Sequence, residues 1–113
     1  MKKVVLELTA RQLNTLVYSF TYINYVYPKT REQKVMKSIL EKLILKIKKK
    51  HLEVESSINT LFSKPKKCKF TFEYYEGDCL EKYLLIVESK QPLNDYDSNA
   101  ILFIKNKLNQ QLA

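Results

Sequence analysis

The sequence predicts an α+β fold in the order β-α-α-β-β-α: a three-stranded antiparallel sheet with helices packed on it, one of them long. Three stretches carry the prediction. Val4-Val5-Leu6-Glu7-Leu8 is β-branched and partly alternating, which marks a short strand. From Arg31 to Ser63 there is neither Gly nor Pro, and apolar residues recur at helical spacing. Lys67 to Glu88, KCKFTFEYYEGDCLEKYLLIVE, can be folded about Gly77-Asp78 so that Phe72 meets Tyr83, Phe70 meets Leu85 and Cys68 meets Val87. The same register sets Glu73 against Lys82 and Lys67 against Glu88. Facing aromatic, aliphatic and opposite-charge pairs stabilise an antiparallel ladder. A two-residue turn led by Gly accepts the positive φ that such turns need.

After the first strand, Thr9 offers an N-cap hydroxyl, and a helix is expected over about residues 9–26, stopped by Pro28. Its buried face is Leu13, Leu16, Phe20, Ile23 and Tyr27. Roughly opposite lie Arg11, Asn14, Tyr18, Tyr22 and Tyr25. Those rings either pack under another part of the chain or form a protein contact surface, because Tyr supplies large contact area at low rotamer cost. Thr30 caps the next helix, with Gln33 at the capping-box position. Its inward stripe is Val35, Met36, Ile39, Leu40, Leu43, Ile44 and Ile47, continued by Val54, Ile58, Leu61 and Phe62. Unbroken, it would run about 32 residues, ~48 Å; a break near Ser56-Ser57 would give two shorter helices. Lys50 and Ser57 interrupt its heptad-like positions, which favours packing within the chain over a coiled coil. Leu45 falls on its polar side.

Lys64-Pro65-Lys66-Lys67 ends that helix and leads into the hairpin. One hairpin face is apolar: Cys68, Phe70, Phe72, Tyr74, Tyr83, Leu85 and Val87. The first strand is the natural neighbour for the hairpin's second strand, completing the sheet. Gln91-Pro92-Leu93-Asn94-Asp95 reads as a loop. Asp97 or Ser98 then caps a last helix to about Gln111, with Ile101, Ile104 and Leu108 inward.

A chain of 113 residues with no linker or repeat is expected to be a single domain, residues 1–113. Its formal charge of +8 is lopsided: residues 1–50 carry an excess of +9 and residues 51–113 carry −1. A concentrated basic region points to a polyanionic partner. Lys outnumbers Arg 18 to 2, which weakens that pointer, because Arg is the usual bidentate reader of phosphate and guanine. In the expected register Cys68 and Cys79 stand too far apart to bridge, with Cys79 exposed beside the turn. Two unpaired cysteines without a secretion signal suggest a reducing, cytoplasmic setting. The longest uncharged stretch, Gln12 to Pro28, is short and polar for a span, so no membrane partner is expected.

Little chemistry is legible. The single Gly excludes Gly-rich phosphate loops, and the single His, His51, cannot build a multi-histidine metal site. His51 is expected to be solvated or to pack between helices. The cysteines lack C-x-x-C spacing. Asp95-Tyr96-Asp97-Ser98 is better explained by helix capping than by a cation loop. No catalytic, cofactor-binding or metal-ligating residue is named, no cofactor is expected, and the chain is not expected to be an enzyme.

The leading expectation is a small non-enzymatic protein-interaction module, contacting a partner or a second copy through the long helix or through Tyr18, Tyr22 and Tyr25. The alternative is sequence-independent nucleic-acid binding through Lys42, Lys46, Lys48, Lys49, Lys50, Lys64, Lys66 and Lys67. An unbroken long helix would separate these lysines into two patches roughly 20 Å apart. A broken one would let them converge.

Overall fold

A computed structural model describes residues 3–58, 67–90 and 93–113. The described elements are strand β1 (Val4–Leu8), helix α1 (Ala10–Ser19), a 3-10 helix (Phe20–Tyr25), helix α2 (Arg31–Ile58), strand β2 (Cys68–Phe72), helix α3 (Tyr74–Lys90) and helix α4 (Asp95–Leu112). The α+β class and the long helix stand. The third strand and the hairpin about Gly77-Asp78 do not.

The described sheet has two strands, β1 antiparallel to β2, with Val4 opposite Phe72, Leu6 opposite Phe70 and Leu8 opposite Cys68. Cys68, Phe70 and Phe72 face the core, as their alternation predicts, but their partner is the N-terminal strand. Val4, Leu6 and Leu8 are fully or almost fully buried beside them.

Residues 79–88, expected as the returning strand, are the heart of α3. Leu80, Tyr83, Leu84 and Val87 are completely buried at i, i+3, i+4 and i+7, one helical stripe. Glu76 reaches back to accept from the Glu73 N–H at 2.8 Å, and the Gly77 N–H donates to the Glu73 carbonyl, closing the first turn. Lys82 and Asp78 pair at 3.0 Å at the i,i+4 spacing of a helix surface. Tyr74 and Leu85, expected in the hairpin's apolar face, are therefore exposed, and Leu84 is buried.

Gly77 has no positive φ and makes no turn. Its service is room. A Cβ built there would lie 3.1–3.3 Å from three side-chain atoms of Val4, so the bare backbone lets α3 settle on β1.

α1 begins at a Thr9–Gln12 capping box, with the Gln12 N–H donating to Thr9 Oγ1 at 3.1 Å. At Phe20 the backbone tightens into the 3-10 helix, which turns every three residues. Phe20, Ile23 and Val26 then face the core at i+3 steps, and the phase reaches Tyr27 three-quarters exposed, against the expectation for an α-helix.

α2 starts at the expected Thr30–Gln33 box, the Gln33 N–H donating to Thr30 Oγ1 at 3.1 Å. It runs without a break through Ser56-Ser57 to Ile58. Leu40, Leu43, Ile44 and Ile47 are buried and Met36 and Ile39 half-buried, but Val35 lies outside the inward stripe and is exposed. The side chains of Val54 and Ile58, and all of Leu61, Phe62, Gln91 and Pro92, lie outside the described part.

α4 is capped by Asn94, not by Asp97 or Ser98: the Asp97 N–H donates to Asn94 Oδ1 at 2.7 Å. Ile101, Ile104 and Leu108 are fully buried as expected. At the far end of α4, Gln111 lies along the open edge of β1. Its Oε1 accepts from the Val5 N–H at 2.7 Å and its Nε2 donates to the Val5 carbonyl at 2.6 Å. One side-chain amide stands in for the missing neighbour strand.

Candidate interaction surfaces

The expected site residues fall on two faces. The first is built from α1 and the 3-10 helix. Tyr18 is 53% exposed and Tyr25 68%, whereas Tyr22 is half-buried against the core. The three-residue turn stacks Tyr22 beneath Tyr25, with ring centroids 5.9 Å apart. Tyr22 is thus the footing that holds Tyr25 outward. Intrachain packing accounts for Tyr22 but not for Tyr18 or Tyr25.

Beside Tyr18 a shallow groove of about 210 Å³ runs between α1 and the start of α4, lined by Arg11, Asn14, Thr15, Tyr96 and Asp97. The Arg11 guanidinium lies 3.7 Å over the Tyr96 ring, a cation–π stack. Thr15 Oγ1 donates to Asp97 Oδ1 at 2.9 Å. Asn14 Oδ1 is hydrogen-bonded with His51 Nε2 at 2.5 Å, which ties α1 to α2. The polar groups of this groove are spent on one another, and its volume is below the roughly 300 Å³ at which small-molecule sites begin.

The second face belongs to α2 and β2. Lys46 Nζ donates to the Thr71 carbonyl on the outer edge of β2 at 3.2 Å and sits 5.5 Å from the Phe72 ring centroid. Burial pushes the Cys68 thiol above its ordinary pKa, and the ammonium of Lys50 opposes that rise. Lys46 thus reaches the outer edge of β2, and the charge of Lys50 acts on the Cys68 thiol. Lys67 and Lys69 are exposed, as are Lys42, Lys46, Lys49 and Lys50, and Lys69 stands opposite Glu7 in the ladder. Lys69 alternates with buried Cys68 and Phe70 and so points outward, as the sequence pattern predicts. Lys48, one turn before His51, is set on the opposite flank, toward α1. Lys64 and Lys66 lie outside the described residues.

Three described acids are matched elsewhere. Lys3 pairs with Glu73, Lys82 with Asp78 and Lys105 with Glu88. On the basic face, Lys50 approaches Glu53 at 3.9 Å, and Lys42, Lys49, Lys67 and Lys69 have no ion pair among the described residues. Leu45, 69% exposed, sits amid these lysines.

Both cysteines are buried and unbonded, which corrects the exposed position expected for Cys79. Burial raises both thiol pKa values, aided at Cys79 by the charge of Asp78, so neither is held as a reactive thiolate. Among the described residues no three of His, Cys, Asp or Glu are grouped to hold a metal ion, and no helix is long and apolar enough to cross a membrane. Comparisons with protein-family models, curated proteins and solved structures give no match.

Proposed function

We propose that the chain is a non-enzymatic protein-interaction module that binds through the surface around Tyr18, Tyr22 and Tyr25. The observation that carries this is the exposure of Tyr18 and Tyr25 on a rigid footing. Large rings held outward by packed neighbours lose little freedom when a partner covers them. A homodimer through this surface is one form of the proposal. A homodimer through α2 is opposed by charge, since a facing copy would bring lysine against lysine on an outer helix face that carries few acids. A cytoplasmic location belongs to the same proposal and is supported by the two buried, unbonded cysteines.

Sedimentation equilibrium at tens of micromolar tests the self-associating form. A dimer in the wild type that Tyr18→Ser with Tyr25→Ser reduces to monomer supports it. A wild-type monomer removes the homodimer and leaves a different protein as the partner. Crosslinking from a photoreactive residue at position 25 then identifies that partner; crosslinks unaffected by Tyr18→Ser overturn the tyrosine surface.

A second reading, sequence-independent binding of a polyanion, is supported by the exposed lysines Lys42, Lys49, Lys67 and Lys69, which have no ion pair among the described residues. It uses a different face and does not compete with the first.

A further inference from the structure

From the β1–β2 ribbon we infer that the outer edge of β2 is a docking site for an extended, acidic segment of a partner protein, which adds to the sheet as a third, antiparallel strand. The inference shares with the leading reading above only that the chain binds protein. It uses none of the tyrosines.

The ladder fixes which backbone groups point to that edge. The N–H and carbonyl of Val5 both bond Gln111, so Val5 and its partner Thr71 form a pair without hydrogen bonds between them. Thr71, and Lys69 two residues before it, therefore direct their N–H and carbonyl away from β1. The bond from Lys46 Nζ to the Thr71 carbonyl reports the same direction. The Lys69 N–H and carbonyl and the Thr71 N–H have no partner among the described residues.

The two edges are closed to different degrees. On β1 a half-buried side-chain amide holds both groups of Val5. On β2 the Thr71 carbonyl accepts from an exposed lysine, which regains rotamer freedom on leaving and so gives way to the N–H of a strand. An edge in that state is a template for main-chain pairing, and strand addition is a recurrent mode of peptide recognition.

Charge selects the occupant. Lys69 is exposed on the outer face of the ribbon, Lys46 stands at the edge, and Lys67 is exposed just before the strand. Of the acids nearby, Glu73 is paired with Lys3, and Glu7 faces Lys69 from β1, on the side away from the edge. A second copy paired edge to edge would bring Lys46 and Lys69 against their own images, which like charge opposes. A segment with acids at alternate positions sets them on one face, beside Lys69. In an antiparallel pair those same acidic residues supply the N–H and carbonyl groups that bond Lys69 and Thr71.

The probes are four labelled peptides, titrated with the full chain by fluorescence anisotropy: TEVEVEVT, the same peptide N-methylated at every Glu, the same peptide N-methylated at every Val, and the basic TKVKVKVT. The acidic peptide and its Val-methylated form are expected to bind, and the other two are not. Lys69→Gln should weaken the acidic peptide by about two- to five-fold. On binding, the Lys69 and Thr71 amides should slow in hydrogen exchange, whereas the Phe70 amide, already in the ladder with Leu6, should not change. Tyr18→Ser with Tyr25→Ser should change nothing. No binding of the acidic peptide up to about 1 mM overturns the inference. So does equal binding of the Glu-methylated form, which would leave attraction by lysine charge alone and the polyanion reading intact. Equal binding of the basic peptide removes the acidic partner, and loss of binding in the tyrosine variant moves the peptide to the other surface; both overturn the inference. Protection of the Lys69 and Thr71 amides that grows with protein concentration and needs no peptide makes a second copy the occupant and overturns it too. The tyrosine reading stands or falls separately, by the crosslinks from position 25.

Discussion

Gly77 shows how much one residue can decide in this chain. An exposed helical Gly replaced by Ala gains stability, by about 1 kcal/mol, from helix propensity alone. At Gly77 the new methyl would meet the fully buried Val4 at 3.1–3.3 Å, on a strand already locked to Phe72. Overpacking of that kind costs about 1–3 kcal/mol, so Gly77→Ala should lose about 1 kcal/mol net in urea denaturation, and Gly77→Val more. A gain would show that α3 and β1 can part without cost. Tyr83 is a second decisive residue. It is fully buried, its ring 6.1 Å from Phe20, and its hydroxyl donates to the Ser19 carbonyl at 2.6 Å. Burial raises the hydroxyl pKa far above the ordinary tyrosine value, with Tyr22 adding to the shift. Neither residue's role could be read from its neighbours in sequence, because both are defined by contacts with β1 or α1.

At the scale of elements, the two-stranded ribbon survives because both of its edges are occupied by side chains. Lys46 covers the Thr71 carbonyl on β2, and Gln111 satisfies both the N–H and the carbonyl of Val5 on β1. A lone two-stranded ribbon is marginal in water, so these covers matter more than they would on a wide sheet. Gln111→Ala should destabilise the protein by about 1–2 kcal/mol, with two half-buried backbone groups left to water. Hydrogen exchange at the Val5 amide should accelerate more than at Leu6. Equal protection in the variant would mean that β1 does not depend on α4. The helix caps tell the opposite story about legibility. Thr9, and Thr30 with Gln33, act where the sequence places them, because a cap is a bond between residues three apart. Residues 74–88 could be paired as strands or wound as a helix by equally local rules. The Leu80-Tyr83-Leu84-Val87 spacing and the Asp78–Lys82 pair are the signals that favour the helix.

For the whole molecule, the distribution of charge matters more than its sum. Glu73, Asp78 and Glu88 are matched with Lys3, Lys82 and Lys105, while the exposed lysines Lys42, Lys49, Lys67 and Lys69 have no ion pair among the described residues. Like charges repel, and salt screens that repulsion. Lys42→Gln with Lys49→Gln should therefore unfold no earlier than wild type at low ionic strength. Its midpoint should be equal or slightly higher, the difference fading by 0.5 M salt. A lower midpoint would assign those lysines to the fold and undercut their use as a docking face.

The sequence by itself determined the local features: the caps of α1 and α2, the inward positions of α2 from Leu40 to Ile47, the inward residues of β2 and α4, and a surplus of lysine in the first half. Each depends on residues within a few positions of one another, where helical and strand periodicities act directly. Only the tertiary structure decided which strand β2 pairs with, and that the lone Gly receives a strand rather than making a turn. Those outcomes depend on burying β1, and its partners lie 60 to 68 residues away along the ladder that joins Leu8 to Cys68 and Val4 to Phe72, beyond the reach of any local pattern.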